Sequence, residues 1–193
     1  MTFWALLFSL FFSQNLVLSG YLGFSGLSRV SGSSFSKLIL SSLVITIFLV
    51  VYSLLSFLLS LVLAFFSLGG LHFFLLISLG FGLAKLSSAF SRFSWAQGLF
   101  PHTQEFLFNS VLLGGVLFFT SYNTDIFSVL AVALGGGLGY SFVRIIFWGL
   151  GLRWTREVIP VHLKGWPLTL VALGTLGLVF SCFNGFFTWG RGL

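Results

Sequence analysis

Charge is what this chain of 193 residues most lacks: 6% of it is charged and three residues are acidic, against about 25% charged in an ordinary soluble domain. That scarcity excludes a soluble globule. No polar stretch is long enough to build a separate catalytic domain, so the chain's chemistry belongs within or beside a bilayer. A single cysteine excludes an internal disulfide and any metal site made of this chain's cysteines alone. Nine Lys and Arg give a net charge of +6, which in a soluble protein would point to nucleic acid. In so apolar a chain the basic residues are read as topology, and no nucleic-acid partner is expected.

What is present is hydrophobic residue, 58% of the chain. A membrane span takes roughly 20 apolar residues, and six apolar stretches are separated by Gly, Ser or charge: Phe3 to Phe24, Leu38 to Phe66, Leu71 to Phe90, Phe106 to Tyr122, Ile126 to Leu152 and Trp166 to Trp189. They predict an all-α integral membrane protein with six transmembrane helices in a single membrane domain, residues 1–193. The first stretch lacks a basic start and outruns the apolar core of a signal peptide, so a retained helix is expected. Arg29, Lys37, Lys85, Arg92, Arg153, Arg156 and Lys164 fall at the first, third and fifth connections, and Arg191 falls on the other side. The positive-inside rule puts those connections in the cytoplasm and both termini in the periplasm, for a multi-pass protein of the inner membrane. Arg144, near the inner end of the fifth stretch, is expected to snorkel toward headgroups. Trp4, Trp95, Trp148, Trp166 and Trp189 suit interfacial anchoring.

Six spans divide into two sets of three, about 1–95 and 96–193. Three is odd, so the second set inserts upside down relative to the first, a plan common among membrane proteins that move ions or solutes about a central site. An internal match supports the division: Asn15-Leu16-Val17-Leu18-Ser19-Gly20 is similar to Asn109-Ser110-Val111-Leu112-Leu113-Gly114. A side-chain amide in hydrocarbon needs a partner. Asn15 and Asn109 are therefore candidates for a repeat interface at which the first and fourth helices face each other; two ordinary polar helix contacts are the competing reading.

No catalytic constellation is visible. His72, His102 and His162 are scattered without metal-ligand spacing and read as interfacial or structural. Glu105, following Pro101 and His102 at the start of the fourth stretch, is a candidate for an ion path, because intramembrane carboxylates mark such paths; a hydrated interfacial Glu is the alternative. Gly135-Gly136-Gly137-Leu138-Gly139 has no preceding strand and no Lys-Ser/Thr after it. It reads as close helix packing through the small-xxx-small pair Gly135 and Gly139. Cys182 reads as a small buried hydrophobe.

Three segments carry a family resemblance. Asn15-Leu16-Val17-Leu18 with Tyr21-Leu22-Gly23-Phe24-Ser25, and Phe108-Asn109-Ser110-Val111-Leu112-Leu113-Gly114, resemble the two repeat motifs of the RnfA and NqrE subunits of the Rnf electron-transport complex and the Na+-translocating NADH:quinone reductase. Ile159-Pro160-Val161-His162-Leu163-Lys164-Gly165 resembles that family's Pro-x-Pro-Phe-Arg-Gly stretch. The resemblance implies a membrane subunit of a redox-driven ion-translocating complex, and not an enzyme on its own. It also implies a homologous inverted neighbour of the RnfE or NqrD kind, with flavin or nicotinamide held by other subunits.

The family also carries one cysteine in each repeat motif, which together with the neighbour's pair hold a [2Fe-2S] cluster. Those positions here are Ser25 and Ser110. A serine hydroxyl is far less acidic than a thiol of pKa about 8.5, so loss of the cluster is the economical expectation. An engineered double substitution and serine ligation of a [2Fe-2S] cluster shared with the partner are the alternatives, and no cofactor is expected on this chain alone. Two other readings stay open: a cofactorless scaffold of another membrane complex, and an inverted-repeat ion or solute transporter.

Overall fold

The computed structural model describes residues 3–13, 15–20, 27, 34–90, 125–154 and 159–182. Every regular element among them is helical. α1 (Phe3–Phe8) runs into a π-helical turn, Ser9–Ser13, and α2 (Leu16–Gly20) follows after a break. The long helices α3 (Phe35–Phe65) and α4 (His72–Phe90) are joined by a tight turn with Ser67 at φ 57°. α5 spans Ile126–Trp154, and α6 spans Trp166–Ser181. α6 begins just after Gly165, whose φ of 86° turns the chain, and has a proline in its first turn, where a missing N–H costs nothing.

Phe35–Phe65, His72–Ala89 and Ile126–Trp154 are each long and apolar enough to cross a membrane, and Phe3–Phe12 and Trp166–Ser181 are shorter apolar helices. These elements fall on the expected stretches, with one correction. The first stretch is not one continuous helix, because it breaks at Asn15. The fourth stretch, 106–122, lies outside the described residues. At 1.5 Å per residue α3 is about 46 Å long, which exceeds a hydrocarbon core of about 30 Å.

Relative directions follow from side-chain pairs. Phe35 meets Trp148, Ser42 and Thr46 meet Ser141, and Thr46 meets Gly137, so α3 and α5 are antiparallel. Leu7 meets Gly135 and Asn15 meets Gly139, so the first helix runs parallel to α5. Leu18 and Phe12 meet Gly177 and Phe180, which makes α6 antiparallel to the first helix. α4 returns along α3, where the Tyr52 hydroxyl donates to the Leu76 carbonyl at 2.8 Å.

Several serines of α3 and its threonine are compatible with an apolar setting because their own helix satisfies the hydroxyl. Ser42 donates to Leu38 O at 2.8 Å, Thr46 to Ser42 O at 2.9 Å and Ser53 to Leu49 O at 2.7 Å. Such back-bonding leaves no free donor facing lipid.

The glycine run of α5 is helical throughout and divides between two neighbours. A Cβ on Gly135 would lie 2.8 Å from the Leu7 carbonyl oxygen, and one on Gly139 would lie 2.7 Å from Asn15 Nδ2. These are the two small-xxx-small positions, and both receive the first helix. Gly137 faces the other way: its Cβ would lie 2.6 Å from Thr46 Cγ2 and 3.1 Å from Thr46 Cα, so α3 itself blocks a side chain there. Gly137→Ala is accordingly expected to destabilise the detergent-solubilised protein by about 1–3 kcal/mol through overpacking. Gly149→Ala, with nothing within 4 Å of the added carbon, serves as the control and should leave the thermal unfolding midpoint unchanged or raised.

Candidate functional site at the broken first helix

Asn15 is fully buried, and its side chain joins the two halves of the first helix. Its Oδ1 accepts the Val17 backbone N–H at 3.0 Å, which caps α2, while its Nδ2 donates to the Phe11 carbonyl at 3.0 Å in the preceding π-turn. The Asn15 carbonyl then accepts both the Ser19 N–H at 2.8 Å and the Ser19 hydroxyl at 2.7 Å. Backbone groups released by the break are thus recaptured locally, the condition for irregular backbone at membrane depth. An asparagine fits this position because one amide carries both an acceptor and a donor. Its partners lie on its own segment; toward α5 it makes packing contact, lying over Gly139.

A second polar cluster crosses the α3–α5 interface. Arg144 Nη1 donates to the hydroxyls of Ser41 and Ser42, each at 3.1 Å, and the guanidinium lies 5.6 Å from the Tyr140 ring centre. The Thr46 and Ser141 hydroxyls are 3.3 Å apart on the same seam. Arg144 is therefore not a free snorkelling chain: part of its charge is held between helices. Its composition could have been noticed in the sequence as one Arg in an apolar helix and a Ser-Ser pair in another, but their pairing could not.

Of the other candidates, Ser25, Glu105, Asn109 and Ser110 lie outside the described residues. His72 begins α4, and His162 is exposed in the short turn Val161–Leu163. No three His, Cys, Asp or Glu among the described residues could hold a metal. Cys182 corrects an expectation: it is exposed at the end of α6, its Sγ 3.8 Å from the Leu178 carbonyl.

No protein-family model matches the chain. Two curated relatives do. One is the NqrE subunit of the Na(+)-translocating NADH-quinone reductase of Psychromonas ingrahamii, 26% identical over 77 residues, which are 40% of this chain and 38% of that protein. The other is NqrE of Chlamydia muridarum, 27% identical over 77 residues, 40% of this chain and 32% of that protein. The chain is a distant relative of NqrE. The match spans about a third of either relative's length. It agrees with the resemblance read from the repeat motifs, and with the apolar helices it makes this a multi-pass membrane protein.

Asn15 opens the first of the motifs that resemble the family and sits at the helix break. Asn15→Leu removes both side-chain hydrogen bonds and places a branched carbon against Gly139. Stranding the Val17 N–H is expected to cost about 1–3 kcal/mol. Asn15→Ser, which keeps a cap acceptor, should lose less; equal unfolding midpoints for the wild type and the leucine variant would contradict the bridging role.

Proposed function

We propose that this chain is a membrane subunit, of the NqrE type, in an Rnf-like or Nqr-like complex that couples redox chemistry to ion movement. The observation that carries the reading is the first helix broken at Asn15 and seated on the glycines of α5, at one of the motifs that resemble the family. A broken helix near the middle of a membrane domain is the usual device for building a site between inverted repeats. In this reading Asn109 is the counterpart of Asn15 at the interface between the repeats, and Glu105 belongs to the ion path. A homologous inverted subunit covers the pair, and the complex lies in the inner membrane with the termini of this chain outside.

The donor set does not suit the family's [2Fe-2S] cluster. Ser25 and Ser110 offer hydroxyls where thiolates are normally required, and Cys182, the chain's one thiol, stands exposed at the end of α6. The role proposed here is accordingly structural and ion-conducting, with electron carriers held by partner subunits.

Affinity purification of the full chain from its own membranes should recover a stoichiometric set of partners with Na+-stimulated NADH oxidation, and little iron assignable to this subunit. Recovery of a colourless homo-oligomer would favour the transporter, and partners without NADH oxidation would favour the scaffold. Orientation is checked separately in a Cys182→Ser background. Cysteines at Ser34 and Lys164 should react with impermeant maleimide only from the cytoplasm, and those at Ser67 and Asp125 only from outside.

A further inference from the structure

Arg144 is a cation between two membrane-spanning helices whose charge the described residues leave uncompensated. Its Nη1 is taken by the two serine hydroxyls, which are neutral. Its Nε is buried and has no hydrogen-bond partner, and Nη2 has no acceptor among the described residues. No carboxylate stands beside it there, since Asp125 lies at the opposite end of α5. The Nε–Nη2 side of a guanidinium is the fork that matches the oxygens of a phosphate or carboxylate.

The surroundings favour a phosphate. Because α3 and α5 are antiparallel, the end of the bundle near Arg144 also carries Lys37 on α3, one turn from Ser41, and Arg153 at the end of α5. One turn beyond Arg144, Trp148 packs against Phe35 with ring centres 5.0 Å apart, an aromatic pair suited to headgroup level. Leu40 and Ile145, beside the serines and the arginine, are 44% and 37% exposed, so this edge of the seam faces lipid. Ser41 is the seventh residue of α3, about 9 Å from its start, in a helix that overruns the hydrocarbon core at its ends. A basic pocket between spans at that depth is the setting in which anionic lipid headgroups bind.

We propose that Arg144, with Ser41 and Ser42 holding one side of its guanidinium, binds the phosphate of an anionic phospholipid at this end of the α3–α5 seam. Nη2 donates to the phosphate directly, and a small side-chain rotation brings Nε alongside. Lys37 adds charge at the rim and the Trp148–Phe35 pair lines the glycerol level. The proposal does not depend on the redox reading, because it needs only the bilayer.

The test uses the full chain, in the assembly in which it purifies, delipidated in a neutral detergent. Phosphatidylglycerol, phosphatidylcholine or inorganic phosphate is then added, with bound lipid followed by native mass spectrometry and stability by the unfolding midpoint. Wild type should retain phosphatidylglycerol over phosphatidylcholine. Arg144→Leu should weaken that retention about fivefold, the effect of one basic residue at an anionic surface, and Arg144→Lys should keep part of it. Lys164→Gln, an exposed cation away from the seam, should change nothing. Equal binding of the two lipids by wild type, or undiminished selectivity in both Arg144 variants, would overturn the proposal. Saturation by inorganic phosphate alone would replace the lipid with a free anion. If Glu105→Gln, Glu157→Gln or removal of a partner subunit reproduced the loss seen on changing Arg144, the occupant would be a carboxylate and the lipid assignment would be wrong.

Discussion

Close approach of backbones on α5 is the constraint on which the rest of this protein depends. Lipid tails are as apolar as leucine, so helices in a bilayer gain little from merely hiding hydrophobic surface and associate through tight packing and hydrogen bonds. Here the packing is two-sided. Gly135 and Gly139 admit the first helix, while Gly137 admits α3. A side chain at any of the three would meet atoms within 3 Å, and at Gly135 the obstructing atom is a backbone oxygen that cannot rotate aside.

The break at Asn15 follows from that proximity as much as it contributes to it. Interrupting a helix in hydrocarbon frees N–H and C=O groups that water cannot satisfy. The Asn15 amide accepts from one half and donates to the other, and the absence of a Cβ on Gly139 leaves room for it. The π-turn just before the break belongs to the same feature, since it shifts the register by which Phe11 presents its carbonyl to the amide.

The α3–α5 seam solves a different problem with the same means. Its hydroxyls bond back to their own helix and still accept from Arg144, so one set of oxygens serves both helix and interface. Burying even part of a guanidinium in this way is costly without acceptors. Two serines and the Tyr140 ring reduce that cost and leave one side of the cation open, which gives the seam a polar edge within an otherwise apolar surface.

The helical class, the membrane setting and most span limits were legible in the sequence, because length and hydropathy alone determine how a segment meets a bilayer. Phe35–Phe65, His72–Phe90 and Ile126–Trp154 fall where apolar composition places them. The repeat motif singled out Asn15 for the same local reason: an amide in an apolar run must find a partner. That its partners would be Phe11 and Val17 on its own segment, that the first helix would break there, and that Gly137 would turn away from its glycine neighbours toward Thr46 were decided by tertiary structure. So was the meeting of Arg144 with Ser41 and Ser42, about 100 residues away in the chain. Periodicity reports which face of a helix is small or polar, but which helix covers that face depends on the global arrangement of spans, and only the fold sets it.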